Sequence, residues 1–337
     1  MSEALATTGC DLCGASPGDW ELLAEESPDN CSVVMCRGCT LMQAAPRLAP
    51  SVLDDFYDDS FSFDHGSPSK AVGGLPDPAR LASEEGLALE WALPILRRHL
   101  DLKERRVLDL RCRSAALSAV LVQEGAELVG VEPFEANVNH ARQVRGLEGV
   151  WPLPFSRFHE LPLAELGIDD ERGFDAVNVL AHHVLAHVLS PRRLLARIHE
   201  LLVPGGLLLL DEKDVLLPVR YKTRSVFDTG RAHQFHLTLA TTLRYLEAAG
   251  FEVIDCAVDA GRISDFRHIR AVARKPRAGA AEAPMGDHGT ALQVRQRLRD
   301  LDRSWSWQKR VRRRQHQLAK QLRRAGLARA ADRVAPR

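Results

Sequence analysis

"VLDLRCRSA", Val107–Ala115, is the stretch on which the reading of the chain turns. "RVLDL" is a short apolar run with strand character, and "SAALSAVLVQEG" after it carries helical spacing. A strand that turns directly into a helix opens many nucleotide-binding α/β units. Glycines in that turn let the backbone approach a cofactor. Here the turn holds Arg111, Cys112, Arg113, Ser114 and Ala115. Either a cofactor site has been altered, or the shape has outlived the site.

Outward from this stretch, residues 101–275 alternate short apolar strands with amphipathic helices, the pattern of an α/β domain around a mostly parallel sheet. Strands are expected at "RRVLDL", "ELVGVE", "FDAVNVL", "GGLLLLDE", "EVIDCAVD" and "HIRAVARK". Helices are expected at "SAALSAVLVQE", "EANVNHARQVR", "PRRLLARIHELL" and "LATTLRYLEAAG". The last two strands follow each other closely, which predicts an antiparallel edge hairpin. Residues 46–100 begin loop-like and end in a lead-in helix, "ARLASEEGLALEWALPILRRHL". Residues 276–289, rich in Pro, Gly and Ala, read as a linker to a basic helical tail over 290–337.

Residues 1–45 hold five of the seven cysteines, four of them as two pairs, Cys10-x2-Cys13 and Cys36-x2-Cys39. Two such knuckles can set four thiolates around one Zn²⁺, which would supply folding energy to a segment without its own core. Four protein ligands leave no open position, so the expectation is a structural zinc ribbon. Disulfides and unrelated free thiols are the alternatives. Cys31, Cys112 and Cys256 read as ordinary thiols.

The 337 residues leave room for roughly two domains. Basic and acidic side chains balance at 45 each, so total charge identifies no partner. The distribution is uneven. From His288 onward there are 15 basic and 3 acidic residues, a net +12, which leaves a net −12 on the rest. "MSEALATTGC" lacks the basic and apolar regions of a secretory signal, and no apolar run reaches the roughly 18 residues of a membrane span. A cytoplasmic location is expected.

The α/β part resembles the class I S-adenosylmethionine (SAM)-dependent methyltransferases over roughly residues 80–275. The resemblance rests on "VLDLRCRSA", "VGVEP", "FDAV…HVLAHVLSP", "LLARIHELLVPGGLLLLDE" and "TLRYLEAAGFEV", of which L-x-P-G-G-x-L-x-L is the most specific. A zinc ribbon ahead of such a domain looks like the zinc-bearing subgroup that includes sugar C-methyltransferases. The resemblance implies a Rossmann-like fold, SAM as cofactor and a small-molecule substrate, with a sugar as one option. It also implies site residues: Asp109 in the first motif, Glu132 for the ribose hydroxyls, and Phe158 beside the adenine. Family members carry D-x-G-x-G-x-G at the turn, where this chain has Arg111, Arg113 and Ala115 at the glycine positions. Those arginines put side chains and positive charge where the cofactor would lie. They read as pairing with nearby acids, or as holding a different, anionic ligand.

Relatives commonly show "HVLEH" after the fourth strand; here it is His183-Val184-Leu185-Ala186-His187, without the carboxylate. His183 and His187 are candidate general bases in the substrate cleft. "TGRAHQFHLTL" aligns with a segment placed over the substrate, where His236 is the first candidate and His233 the second. The basic tail could meet nucleic acid, an anionic membrane, a protein partner, or the acidic body of its own chain. Two functions follow from the sequence. One is a methyltransferase with an altered cofactor loop. The other is a non-catalytic protein of that fold that binds a partner or nucleic acid.

Overall fold

The computed structural model describes residues 4–5, 9–24, 32–55, 86, 88–154, 156–169, 171–179, 184–218, 233–259, 266–277 and 290–324. Seven strands form the central sheet, numbered here in chain order. They are β1 (Arg106–Leu110), β2 (Glu127–Val131), β3 (Val150–Trp151), β4 (Phe174–Val179), β5 (Leu202–Pro218), β6 (Glu252–Asp259) and β7 (Phe266–Arg274). Their spatial order is β3-β2-β1-β4-β5-β7-β6. The pairs from β3 through β5 are parallel, and β7 is antiparallel to both β5 and β6. The edge hairpin is therefore present, and strand order reverses between β1 and β4. Open α/β sheets bind ligands at such a reversal, outside the C-terminal strand ends.

Alternation along the strands sends successive side chains to opposite faces. Leu108, Leu110, Val177, Leu208 and Leu210 enter one apolar cluster; Val107, Ala176, Leu207, Leu209 and Val272 enter the other. Both faces are buried, which is why the sequence shows near-continuous apolar runs there. The helix Pro191–Leu201 covers the first face with Leu194, Leu195 and Ile198. Its start is fixed by Pro191 and by Ser190, whose hydroxyl accepts from the Arg193 amide. The helix Leu239–Ala248 begins with a capping box between Thr238 and Thr241. "PGG" has a local reason. Gly205 takes φ +87°, and a Cβ on Gly206 would come within 2.9 Å of the Val203 carbonyl.

The N-terminal segment forms an antiparallel sheet of Trp20–Ala24, Ser32–Cys36 and Met42–Ala45. Its outer strand is completed by Phe235–His236, which pairs with Met42–Gln43, so a later part of the chain closes it. The docking is polar as well. Asp11, between the first two cysteines, accepts from the Ser190 hydroxyl at 2.6 Å, the Tyr245 hydroxyl at 3.0 Å and the Arg192 amide at 3.2 Å. Arg47 lies 3.5 Å from the same carboxylate. The long helix Ala291–Arg324 packs Val294 and Leu298 against Val33, Met35, Met42 and Val215. Among the described residues, no helix is long and apolar enough to cross a membrane.

Candidate functional site

The reversal between β1 and β4 gathers buried polar side chains. Asp109, near the end of β1, accepts 2.6 Å hydrogen bonds from Ser118 Oγ and from Asn178 Nδ2 on β4. Burial raises its pKa, and these two donors oppose the rise. Glu132 follows β2 and has no exposed surface. It accepts from the Arg113 amide at 3.0 Å, the Asn137 side chain at 2.9 Å and the Phe134 amide at 3.2 Å. Burial pushes Glu132 upward, opposed first by Asn137 and then by the charges of Arg111 and Arg113.

The turn between β1 and the helix Ala116–Gln123 keeps the backbone of a glycine loop without its glycines. Arg111, Arg113 and Ala115 have φ of 62°, 51° and 54°, all left-handed. A non-glycine residue costs roughly 1–2 kcal/mol in that conformation. Three strained positions in five residues persist only because the surroundings determine them.

Arg111 is 1% exposed and Arg113 is 6% exposed. From the tip of β1, Arg111 favours the ionised form of Glu132 beyond β2 and also that of Glu212 on β5. Glu212 is raised well above the usual carboxylate range by burial, against the 2.7 Å bond from the Leu185 amide, Lys213 and Arg111.

The other candidates fall in three places. Phe158 is fully buried in the larger apolar cluster, with no ring face open to a purine. Cys112 is buried with its thiol pKa pushed up by burial, which leaves it unreactive. His183 lies outside the described residues. His187 is buried in the short helix Val184–His187, its ring centroid 4.4 Å from that of His233. The Gln234 amide bonds to the Ala186 carbonyl at 2.8 Å, so these two segments meet. His236 belongs to the strand on the cysteine-bearing sheet, and burial lowers its pKa to about 4, which keeps it neutral.

The sequence reading did not single out Asn178, Ser118, Glu212 or Asp11. Asn178 carried a signal, being the one polar residue in the buried part of "FDAVNVL". The other three gain meaning only from contacts distant in sequence.

The four cysteines converge. Cys10, Cys13, Cys36 and Cys39 place their sulfurs within 4.8 Å of one another. Cys10–Cys39 is 3.4 Å and Cys13–Cys36 is 3.6 Å. These separations are too long for disulfides, which need about 2.05 Å. They lie close to the edge of a tetrahedron with metal–sulfur bonds of about 2.3 Å, roughly 3.8 Å. The donor set fits zinc. Arg244 donates to the Cys39 carbonyl, tying the second knuckle to the helix over the main sheet.

For an adenosyl cofactor the fit is conditional. The left-handed loop backbone and the acids at the ends of β1 and β2 match what such a ligand requires. Glu132, however, already accepts from three donors, and Arg111 and Arg113 are buried at two of the loop positions where family members carry glycine. The acids and the loop backbone fit the cofactor, and the two arginine side chains are what the fit has to accommodate.

A family model described as "Methyltransferase domain" matches residues 84–255. A tRNA U34 carboxymethyltransferase of Pseudoalteromonas translucida is 31% identical over 183 residues, which is 50% of this chain and 52% of that protein. A ubiquinone biosynthesis O-methyltransferase of Bordetella avium is 30% identical over 120 residues, 36% of this chain and 46% of that protein. The chain thus spans about half the length of these curated relatives. Among solved structures, the 1,6-didemethyltoxoflavin-N1-methyltransferase of Burkholderia thailandensis aligns with 75% of this chain and 100% of its own. Its TM-score is 0.49 at 19% identity.

Proposed function

The chain belongs to the methyltransferase domain family, and on that premise we propose that it is a SAM-dependent methyltransferase acting on a small molecule. The observation that carries this reading is the loop backbone. Arg111, Arg113 and Ala115 hold the left-handed conformation at all three family glycine positions, with Asp109 and Glu132 beside them. Strained backbone of this kind clusters at ligand-binding sites.

When bound, SAM supplies an electrophilic methyl group on a sulfonium. Glu132 would take the ribose hydroxyls after releasing part of its present hydrogen bonding. The loop amides, at the start of the helix Ala116–Gln123, suit a carboxylate. His187 and His233, packed against each other, are the leading candidates to accept a proton from the substrate; His183 and His236 complete the set. The curated relatives act on a tRNA and in ubiquinone biosynthesis by name, so they do not select the acceptor. The zinc ribbon favours a sugar in the first panel tested. We further assign one structural zinc to Cys10, Cys13, Cys36 and Cys39.

Cross-linking of methyl-tritiated SAM to the full chain tests the main reading. Label on peptides spanning residues 107–137, competed by S-adenosylhomocysteine, supports it. Label that is absent or not competed counts against it. One observation favours a second reading. The buried Arg111 and already hydrogen-bonded Glu132 suit a non-catalytic scaffold that presents the ribbon and tail to a partner. In that case neither SAM nor its product binds at millimolar concentration.

A further inference from the structure

The helix Ala291–Arg324 is held to the body by one face, and its charge lies elsewhere. Val294 and Leu298 pack against Val33, Met35, Met42 and Val215, and Leu301 is buried as well. Arg295 pairs with Glu21 at 2.6 Å, and Arg297 donates to the Leu216 carbonyl at 3.0 Å. These contacts set the helix's rotation about its axis. Over residues 291–324 the helix carries twelve basic and two acidic residues, ten of the twelve being arginine. At 3.6 residues per turn, nine of the twelve fall by position within an arc of about 140°. That arc lies next to the docked face and meets it at Arg295, which pairs with Glu21. It runs from Arg295 to Arg324, roughly 44 Å at 1.5 Å per residue. Arg299, Arg303, Arg314 and Lys320, which sample this arc along most of its length, are exposed.

We infer that this stripe is a binding surface for the phosphate backbone of nucleic acid. Three features select that partner. The stripe is linear and one-sided, which suits a polyanion lying along the helix better than a compact anion. It is dominated by arginine, whose planar fork matches phosphate. The apolar side chains beside it, Val294, Leu298 and Leu301, are buried in the protein. They are not free to insert into a bilayer, as a membrane-bound amphipathic helix requires. The net −12 of the first 287 residues repels a polyanion elsewhere and confines contact to the helix. This surface does not depend on methyl transfer, and its test does not read it.

The test uses the full zinc-loaded chain and fluorescence anisotropy, with a labelled 20-nucleotide RNA hairpin and a 20-base-pair DNA duplex as separate arms. At 50 mM salt, micromolar or tighter binding is expected in at least one arm, and the stronger arm identifies the source of the phosphates. Affinity should fall steeply toward 200 mM. Replacing Arg299, Arg303, Arg314 and Lys320 by Gln should weaken binding at least tenfold. It should also flatten the log–log salt slope by about 3. A charge-preserving variant, with Lys at the three arginine positions, should retain most of the affinity. Circular dichroism equal to wild type would show the helix intact. The inference is overturned by no binding in either arm at 10 µM protein. It is also overturned if the Gln variant binds like wild type, or if only anionic phosphatidylserine vesicles are bound.

Discussion

Replacing Arg111 by Gly perturbs the crevice most directly. The substitution removes a side chain that is 1% exposed and serves as a shared counter-charge for two buried carboxylates. Glycine at φ 62° relieves roughly 1–2 kcal/mol of backbone strain. Against this, glycine's greater freedom when unfolded costs roughly 0.5–1 kcal/mol. Backbone effects therefore nearly cancel. Breaking a buried contact ion pair costs about 3–5 kcal/mol; Arg111 is one of several groups acting on Glu132 and Glu212, so that figure is an upper bound here. Glu132 and Glu212 are already raised by burial and can take up protons instead, which trims the loss to about 2–3 kcal/mol at pH 8. The loss should shrink at pH 6, where protonation is easier. At about 2–4 °C per kcal/mol, the melting temperature should fall by roughly 4–12 °C. In the same variant the loop position carries glycine, as in family members, so affinity for S-adenosylhomocysteine should rise at least tenfold, about 1.4 kcal/mol. Differential scanning fluorimetry at both pH values and calorimetric titration read the two effects. An Arg111→Lys variant, which keeps a charge, should fall between. Unchanged melting together with unchanged or weaker affinity would refute Arg111 as a side chain the cofactor has to accommodate.

Other consequences can be measured independently. His236 has its folded pKa depressed from 6.5 to about 4, so it contributes stability above pH 6.5 that is lost as pH falls toward 4. The full loss is about 3 kcal/mol, and a His236→Gln variant should show a flatter stability profile across that window in urea titrations. Asp11→Ala removes the acceptor of Ser190, Tyr245 and the Arg192 amide, and should cost about 2–4 kcal/mol. Limited proteolysis should then cleave between the ribbon and the sheet faster than in wild type, and an unchanged cleavage rate would deny Asp11 its docking role. Metal analysis should return one zinc per chain. A chelator should release it with loss of protease resistance over residues 9–45, while a metal-free protein of equal stability would contradict the assignment.

Much of the fold was legible because buried parallel strands announce themselves. "RVLDL" is apolar at three of five positions, "FDAVNV" at four of six and "LLLL" at all four, and Pro and Gly punctuate the chain between elements. β3 escaped because two residues, Val150 and Trp151, carry no period. The lead-in helix was expected to be continuous, but Ala88–Ala92 forms a wider π turn ahead of Leu93–His99. Pro94 explains this, since it cannot donate a helical hydrogen bond and crowds the preceding turn. In the candidate site, the resemblance put Asp109 and Glu132 at strand ends, and both lie buried there. Their partners were not legible, because Asn178 and Ser118 meet Asp109 only after the sheet forms. The loop's backbone was likewise hidden. Nothing local indicates that an arginine will adopt a conformation glycine prefers, since the reason lies in the surrounding crevice. The contribution of Phe235–His236 to the ribbon sheet joins residues nearly 200 positions apart, beyond any local pattern.

The proposal of methyl transfer stands on whether the crevice still accepts an adenosyl ligand. Isothermal titration of zinc-loaded wild-type protein with S-adenosylhomocysteine asks this most directly. Saturable binding at one site per chain, tightened when Arg111 is replaced by Gly, is the predicted result. Absence of heat up to millimolar ligand in both proteins would contradict it and leave a methyltransferase fold without its cofactor.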